Sequence, residues 1–259
     1  MPAAFVLVWS TGFIVARYGM PHAPPFGFLA IRYALSVLAF GLWIAAVRAP
    51  WPQGRAQWGH LAVAGVLMHA GYLGGVWAAV KAGMGAGMVA LLVGLSMVVS
   101  RKLGAGEVNA ANFALAVFAL LSITIGTLYQ KRFVTSGDVR TANAVQIAAA
   151  LAVTLPLAVL EGGTWQATHP EFLGAMAWSV LVLTLGGSSM LYLLIQRGAA
   201  ARVTSLLYLV PPCTAVMAWL LFGEALTALV LLGIAVTAVG VALVVREPSA
   251  PPAAAPTAQ

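Results

Sequence analysis

His69 and Tyr72 stand three positions apart, so on a helix their side chains share one face, and Trp77 follows on the same stretch. An imidazole with an ordinary pKa near 6.5 can take up or release a proton at neutral pH. A phenol and an indole beside it can stack on a solute and hydrogen-bond to it. Ser122, Gly126, Tyr129 and Gln130 form a second group at i, i+4, i+7 and i+8, one polar stripe on a helix, and Thr184 and Ser188 form a smaller one. Trp9, Gln146, Tyr192 and Tyr208 complete the candidates, with Tyr192 aligned to Trp77 at an offset of 115 in the repeat described below. These are groups for holding a solute, not for breaking its bonds. No HExxH, GxSxG or phosphate-binding loop occurs, and no paired carboxylates fall within one apolar run. The single Cys213 excludes a disulfide framework and a thiolate metal cluster. The expectation is therefore a protein that is not an enzyme and needs no metal or cofactor.

What positions these residues follows from the composition. Of the 259 residues, 62% are hydrophobic and only 7% are charged, with a mean hydropathy of +0.97. A soluble domain carries about 25% charged residues, so thirteen basic and six acidic side chains cannot cover a soluble surface of this size. Lipid must be the solvent for most of it, which excludes a soluble enzyme and a nucleic-acid binder. The net charge of +7 is spread between apolar runs and marks loops, not a polyanion site. A spanning helix needs about 20 apolar residues. Nine segments qualify: Pro2–Ala16, Phe26–Val47, His60–Val80, Met84–Val99, Asn112–Gln130, Ala142–Leu160, Leu173–Ile195, Val203–Phe222 and Ala225–Val245. All should be helical, because only a helix or a closed barrel satisfies its backbone in lipid. The fold class is an all-α integral membrane protein with nine apparent spans. Residues 247–259, rich in Pro and Ala, form an expected disordered tail.

The two halves align. Gly12 and Arg17 match Gly126 and Lys131 at an offset of 114, while Gly83 and Leu91-Leu92 match Gly198 and Leu206-Leu207 at 115. Weak symmetry between membrane halves is a signature of secondary transporters. Residues 1–106 form a first, incomplete repeat and 107–246 a second. The match breaks after Leu95, where Ser96–Val99 resembles Ala242–Val245. About 31 residues corresponding to Pro211–Val241 are thus absent, and restoring them gives about 290 residues and ten helices in two sets of five. The Met84–Val99 span is then a composite of two helices.

Charge tests this layout. With a cytoplasmic N-terminus, Arg48 and Arg55 fall inside, as the positive-inside rule prefers. With ten crossings, or eight plus a Met84–Val99 segment that does not fully cross, Lys131, Arg132, Arg140, Arg197, Arg202 and Arg246 also fall inside, and the loop 161–172, which lacks Lys and Arg, falls outside. Nine full crossings put most of these charges on the wrong side.

Trp9-Ser10-Thr11-Gly12-Phe13, then Ala23-Pro24-Pro25-Phe26 with Arg32, resembles the opening of EamA-type carriers of the drug/metabolite transporter superfamily. Val210-Pro211-Pro212, Leu221-Phe222-Gly223-Glu224 and the glycine-spaced last span with Gly233 and Gly240 resemble the end of the second EamA repeat. The resemblance implies ten helices in inverted five-helix repeats and cytoplasmic termini. It further implies a multi-pass protein of the bacterial inner membrane that moves amino acids, other small metabolites or drugs, with export as the expected direction and a homodimer as a possible assembly. A degenerate, non-transporting membrane protein left by the deletion is the alternative. No nucleotide-binding motif points to ATP drive.

Outside the candidate path, Arg32 is expected to snorkel to the interface, and Lys81 and Glu224 to lie at span ends. Gly71-x-x-x-Gly75 and Gly83-x-x-x-Gly87 should permit close helix packing, and Pro211-Pro212 should kink the eighth span.

Overall fold

The computed structural model describes residues 2–85, 109–134, 136–196, 209–226, 228 and 230–235, and among them there are helices and turns but no strand. Among the described residues seven helices with defined bounds follow one another, and residues 228 and 230–235 are helical as well. The seven begin with α1 (Pro2–Gly19), α2 (Pro25–Val47), α3 (Gly54–Gly65, a π-helical Val66–Gly71 and Tyr72–Lys81) and α4 (Ala110–Phe133). After these come α5 (Val139–Glu161), α6 (Pro170–Trp178, a π-helical Ser179–Ser188 and Ser189–Gln196) and α7 (Val210–Phe222). Helices α2 to α6 are each long and apolar enough to cross a bilayer, while α1 and α7 are shorter apolar helices. The chain is an all-α membrane protein.

Of the nine apparent spans, the described residues show five full-length helices, two shorter ones and a helical piece of the last at 228 and 230–235. Most of the Met84–Val99 span, the front of the eighth span, Tyr208, most of the Ala225–Val245 span, the tail 247–259 and the point of the 31-residue gap lie outside the described residues.

Local chemistry sets the helix ends. Pro25 opens α2, where a missing N–H costs nothing. Asn109 and Asn112 cap α4 reciprocally, each side-chain oxygen accepting the other's backbone N–H at 2.9 Å. The Asp138 carboxylate accepts from the Arg140 N–H at the start of α5, at 2.8 Å. Gly223, with φ of 66°, closes α7 in the left-handed region that favours glycine. The described part of the eighth span, α7, opens at Val210 with Pro211 and Pro212 in its first turn, where no backbone bond is lost to them, and the expected kink falls against residues 203–208, outside the described residues.

Helices α2 and α5 run antiparallel. The Glu161 carboxylate accepts from the Phe26 N–H at 2.9 Å at one end, and the Thr141 hydroxyl donates to the Pro50 carbonyl at 3.0 Å at the other. Gln57 Nε2 reaches the Ser136 carbonyl at 3.3 Å, joining the start of α3 to that second end. Arg48, Arg55, Lys131, Arg132 and Arg140 thus gather at one end of the bundle, while Glu161, Glu171, Arg17 and Lys81 sit at the opposite end. Asn112 Nδ2 donates to the Ala82 carbonyl at 3.4 Å, so α3 ends and α4 begins at the same face. This arrangement lets the second half keep the orientation that its charges demand.

Small residues bring the helices together. A Cβ on Gly65 would fall on the Gln146 backbone of α5, and Gly71 and Gly75 abut Ser122 and Ala119 of α4. The Gly71/Gly75 pair packs as expected. Gly83 has φ of 93° and turns the chain after α3, with no described atom near its missing Cβ, while Gly87 lies outside the described residues. On its far side α4 exposes Phe118, Leu121, Ile125 and Leu128, an apolar stripe suited to lipid.

Candidate functional site

Two adjoining cavities lie inside the bundle. The larger is walled by α1, α2, α3 and α6 through residues that include Trp9, Phe13, Arg32, His69, Tyr72, Trp77, Leu183 and Ser188. The smaller reaches toward the basic end and includes Gln130, Asn143, Gln146 and Tyr192. Trp9, Met68, His69 and Ser188 line both and form their shared wall.

Eight of the eleven sequence candidates line these spaces. Trp9, His69 and Ser188 stand at the junction, Tyr72 and Trp77 in the larger cavity, and Gln130, Gln146 and Tyr192 in the smaller. Gln146 Nε2 donates to Gln130 Oε1 at 3.4 Å, tying α5 to α4. Ser122 is buried, but it lies under Gly71 at the α3–α4 contact and lines neither cavity. Tyr129 also stands aside, its hydroxyl 2.7 Å from His60 Nδ1. Adjacent residues on a helix diverge by about 100°, so Tyr129 and its neighbour Gln130 cannot face the same space. Tyr208 lies outside the described residues.

Both irregular helix segments border this site. His69 lies within the π-helical Val66–Gly71 of α3, and Thr184 and Ser188 lie within Ser179–Ser188 of α6. His69 and Thr184 correspond at the repeat offset of 115. A π turn widens the helix locally, and such turns are frequent at functional sites. The Tyr33 hydroxyl of α2 donates to the His69 carbonyl at 2.9 Å, and the Thr184 hydroxyl donates to the Ser179 carbonyl at 2.8 Å.

The structure corrects the expectation for Arg32. Its side chain does not snorkel; it is 5% exposed and lines the larger cavity. Nε donates to Thr184 Oγ1 at 3.1 Å. Seven residues into α2, Arg32 is about 10 Å along the axis from the helix start, within reach of either direction, and the hydroxyl on α6 draws it inward. Asn143, next to the candidate Gln146, was also missed. Its signal was a polar residue one turn from Gln146 on α5, three positions away.

One further cluster lies outside the cavities. His22, between α1 and α2, places Nε2 2.9 Å from Glu171 and Nδ1 2.8 Å from Gln166, and its ring stacks on His169 at 3.9 Å between centroids. Donor atoms of His22, His169 and Glu171 lie within 4.8 Å of one another. Both ring nitrogens of His22 and the Nδ1 of His169, which accepts from the Glu171 N–H, are already engaged. The group latches two loops together, and the Glu171 and Gln166 side chains hold the His22 pKa above its usual 6.5.

No curated protein matches the chain. The family model of the EamA-like transporter family does, over residues 111–246. That is more than half of a chain whose described helices enclose a polar and aromatic cavity, so this protein belongs to the EamA-like transporter family, membrane transporters of small molecules.

Proposed function

We propose that the chain is a secondary carrier that exports amino acids, related small metabolites or drugs across the bacterial inner membrane by alternating access. The observation that carries this reading is the pair of adjoining cavities. One extends from Trp9 and His69 toward Trp77 and the end of the bundle that holds Glu161 and Glu171. The other extends toward Gln146 and the end that gathers Arg48, Arg55, Lys131, Arg132 and Arg140. By the positive-inside rule the second end is cytoplasmic, so a solute would pass from the Gln146 side to the Trp77 side.

The shared wall is the gate in this reading. Trp9 and Met68 close it, and the π-helical middles of α3 and α6 supply backbone that can change its hydrogen-bond register as the halves rock. Residues 1–106 and 107–246 are the two moving repeats, with the site at their interface as in other repeat-built transporters. Gly12 against Leu183, and Gly187 against Val8 and Trp9, leave smooth surface between α1 and α6.

Reconstituted into liposomes, the full chain is expected to give saturable, trans-stimulated uptake of a small metabolite. Fluxes equal to those of empty liposomes across a broad panel of amino acids, organic acids and amphipathic drugs would favour the degenerate-protein alternative. Cysteine variants in a Cys213→Ala background report the path: Gln146→Cys should react with a membrane-impermeant thiol reagent from the cytoplasmic side, Trp77→Cys from the other side, and Ser188→Cys from both.

A further inference from the structure

Among the described residues lining the larger cavity, Arg32 is the only Lys, Arg, Asp or Glu. Four of the chain's six acidic residues are described, and all stand elsewhere: Asp138, Glu161 and Glu171 at helix ends, and Glu224 after α7. No described carboxylate pairs with Arg32. Nε is taken by Thr184, and no described residue accepts from Nη1 or Nη2. A guanidinium carries five N–H donors in a planar fork, so four of them remain for another partner. A buried cation without a counter-ion is strongly disfavoured inside a membrane protein, and where one is kept it marks a pathway or ligand site.

We propose that Arg32 is the anion-binding residue of this cavity and that its ligand is an organic monocarboxylate with a compact apolar or aromatic body. One fixed positive charge matches one carboxylate. The fork of Nη1 and Nη2 suits its two oxygens, which a point-charge ammonium would not. A phosphate dianion would leave charge uncompensated, since no second Lys or Arg lines the space among the described residues. The rest of the wall, with Phe13, Tyr72, Trp77 and Leu183, offers apolar and aromatic surface to the body of the molecule. Thr184 anchors Nε and keeps the fork aimed at the cavity. This inference names the substrate class of the carrier proposed above, but binding of the anion does not depend on transport.

The test uses the purified full chain in detergent. Quenching of tryptophan fluorescence, with Trp9 and Trp77 in the wall, is titrated with phenylacetate and with phenylacetamide, which differ in the charge of the headgroup. Phenylacetate is expected to bind about 10- to 100-fold more tightly than the amide, the range for hydrogen bonds to a charged group. Arg32→Gln should bring the acid to the level of the amide, and Arg32→Lys should fall between. Equal binding of acid and amide to the unaltered protein, or binding of neither, overturns the inference without relying on any variant to fold. Uptake by proteoliposomes separates the two readings. Selective binding of phenylacetate with flux no greater than the passive leak of empty liposomes upholds the anion site and counts against the carrier. Saturable flux of other solutes together with equal binding of phenylacetate and phenylacetamide upholds the carrier and removes the anion site.

Discussion

Arg32 Nε donates to Thr184 Oγ1 at 3.1 Å, joining the second helix to the π-helical centre of α6 across 152 positions of chain. One hydroxyl does two jobs there, accepting from the guanidinium and donating to the Ser179 carbonyl. Both halves of the protein meet in this contact, which makes it a sensitive place to probe.

Thr184→Val keeps the shape of the side chain but leaves a buried Nε–H without its acceptor. Such a loss costs about 1–3 kcal/mol. The expected result is a lower midpoint of thermal unfolding in detergent, with Thr184→Ser close to the unaltered protein. Equal midpoints for Val and Ser would show that the hydroxyl bond contributes nothing.

Gly65 tests the contact of α3 with α5. An added methyl would meet the Gln146 main chain, which cannot swing aside as a side chain can. Gly65→Ala should destabilise at the upper end of the roughly 1–3 kcal/mol of overpacking. Gly41, also helical but with nothing within 4 Å of its missing Cβ, is the control. Gly41→Ala should be neutral or stabilising by up to about 1 kcal/mol. Comparable losses of folded protein at the two sites would contradict the close approach.

The His22 latch should respond to pH. Its pKa is raised above 6.5, first by the hydrogen bond to Glu171 and then by that to Gln166. The protonated form is the one the folded loops favour. The latch is therefore at full strength below about pH 6.5 and is lost as pH rises through the higher folded value. The Gln166 N–H, bonded to the His22 carbonyl at 2.9 Å, supplies the signal. Its hydrogen exchange, corrected for the intrinsic rate, should quicken as pH rises through that value, and in Glu171→Gln the step should move to lower pH. A corrected rate flat from pH 5.5 to 8.5 would dismiss the latch.

Asp138 carries the opposite sign. Its carboxylate caps α5 and faces the Arg140 guanidinium, Oδ2 to Nη2 at 2.8 Å, which with the backbone bonds holds its pKa below 3.8. Its contribution is present above that pH and disappears as pH falls through the depressed folded value. Asp138→Ala should cost about 0.5–2 kcal/mol, the range for a lost N-cap, and Asp138→Asn less. Chemical unfolding of the three proteins at pH 7 and pH 3 measures both effects. A deficit in Asp138→Ala as large at pH 3 as at pH 7 would remove the charge from the explanation.

Which of the described helices are long and apolar enough to cross a bilayer was legible in the chain itself, because apolar length is a local property and the bilayer imposes one threshold on every helix. The starts and stops at Pro25, Asn109 and Gly223 were equally local. His69, Tyr72 and Trp77 could be assigned to one space because spacing on a single helix fixes a shared face. The candidates went further than spacing warrants in two cases: Ser122 pairs with Gly71 and Tyr129 turns to His60, while Tyr208 lies outside the described residues. Tertiary structure decided everything that joins distant parts of the chain. Arg32 could reach outward or inward along the same helix, and only the arrival of Thr184 from α6 turns it into the cavity. His22 meets Glu171 and Gln166 only because two loops converge at one end of the bundle. Whether a π turn opens in α3 and α6 also depends on what packs beside it, since the same residues could continue an ordinary helix. Hydropathy reports how each segment meets lipid; the orientation of its polar face depends on the neighbour it packs against.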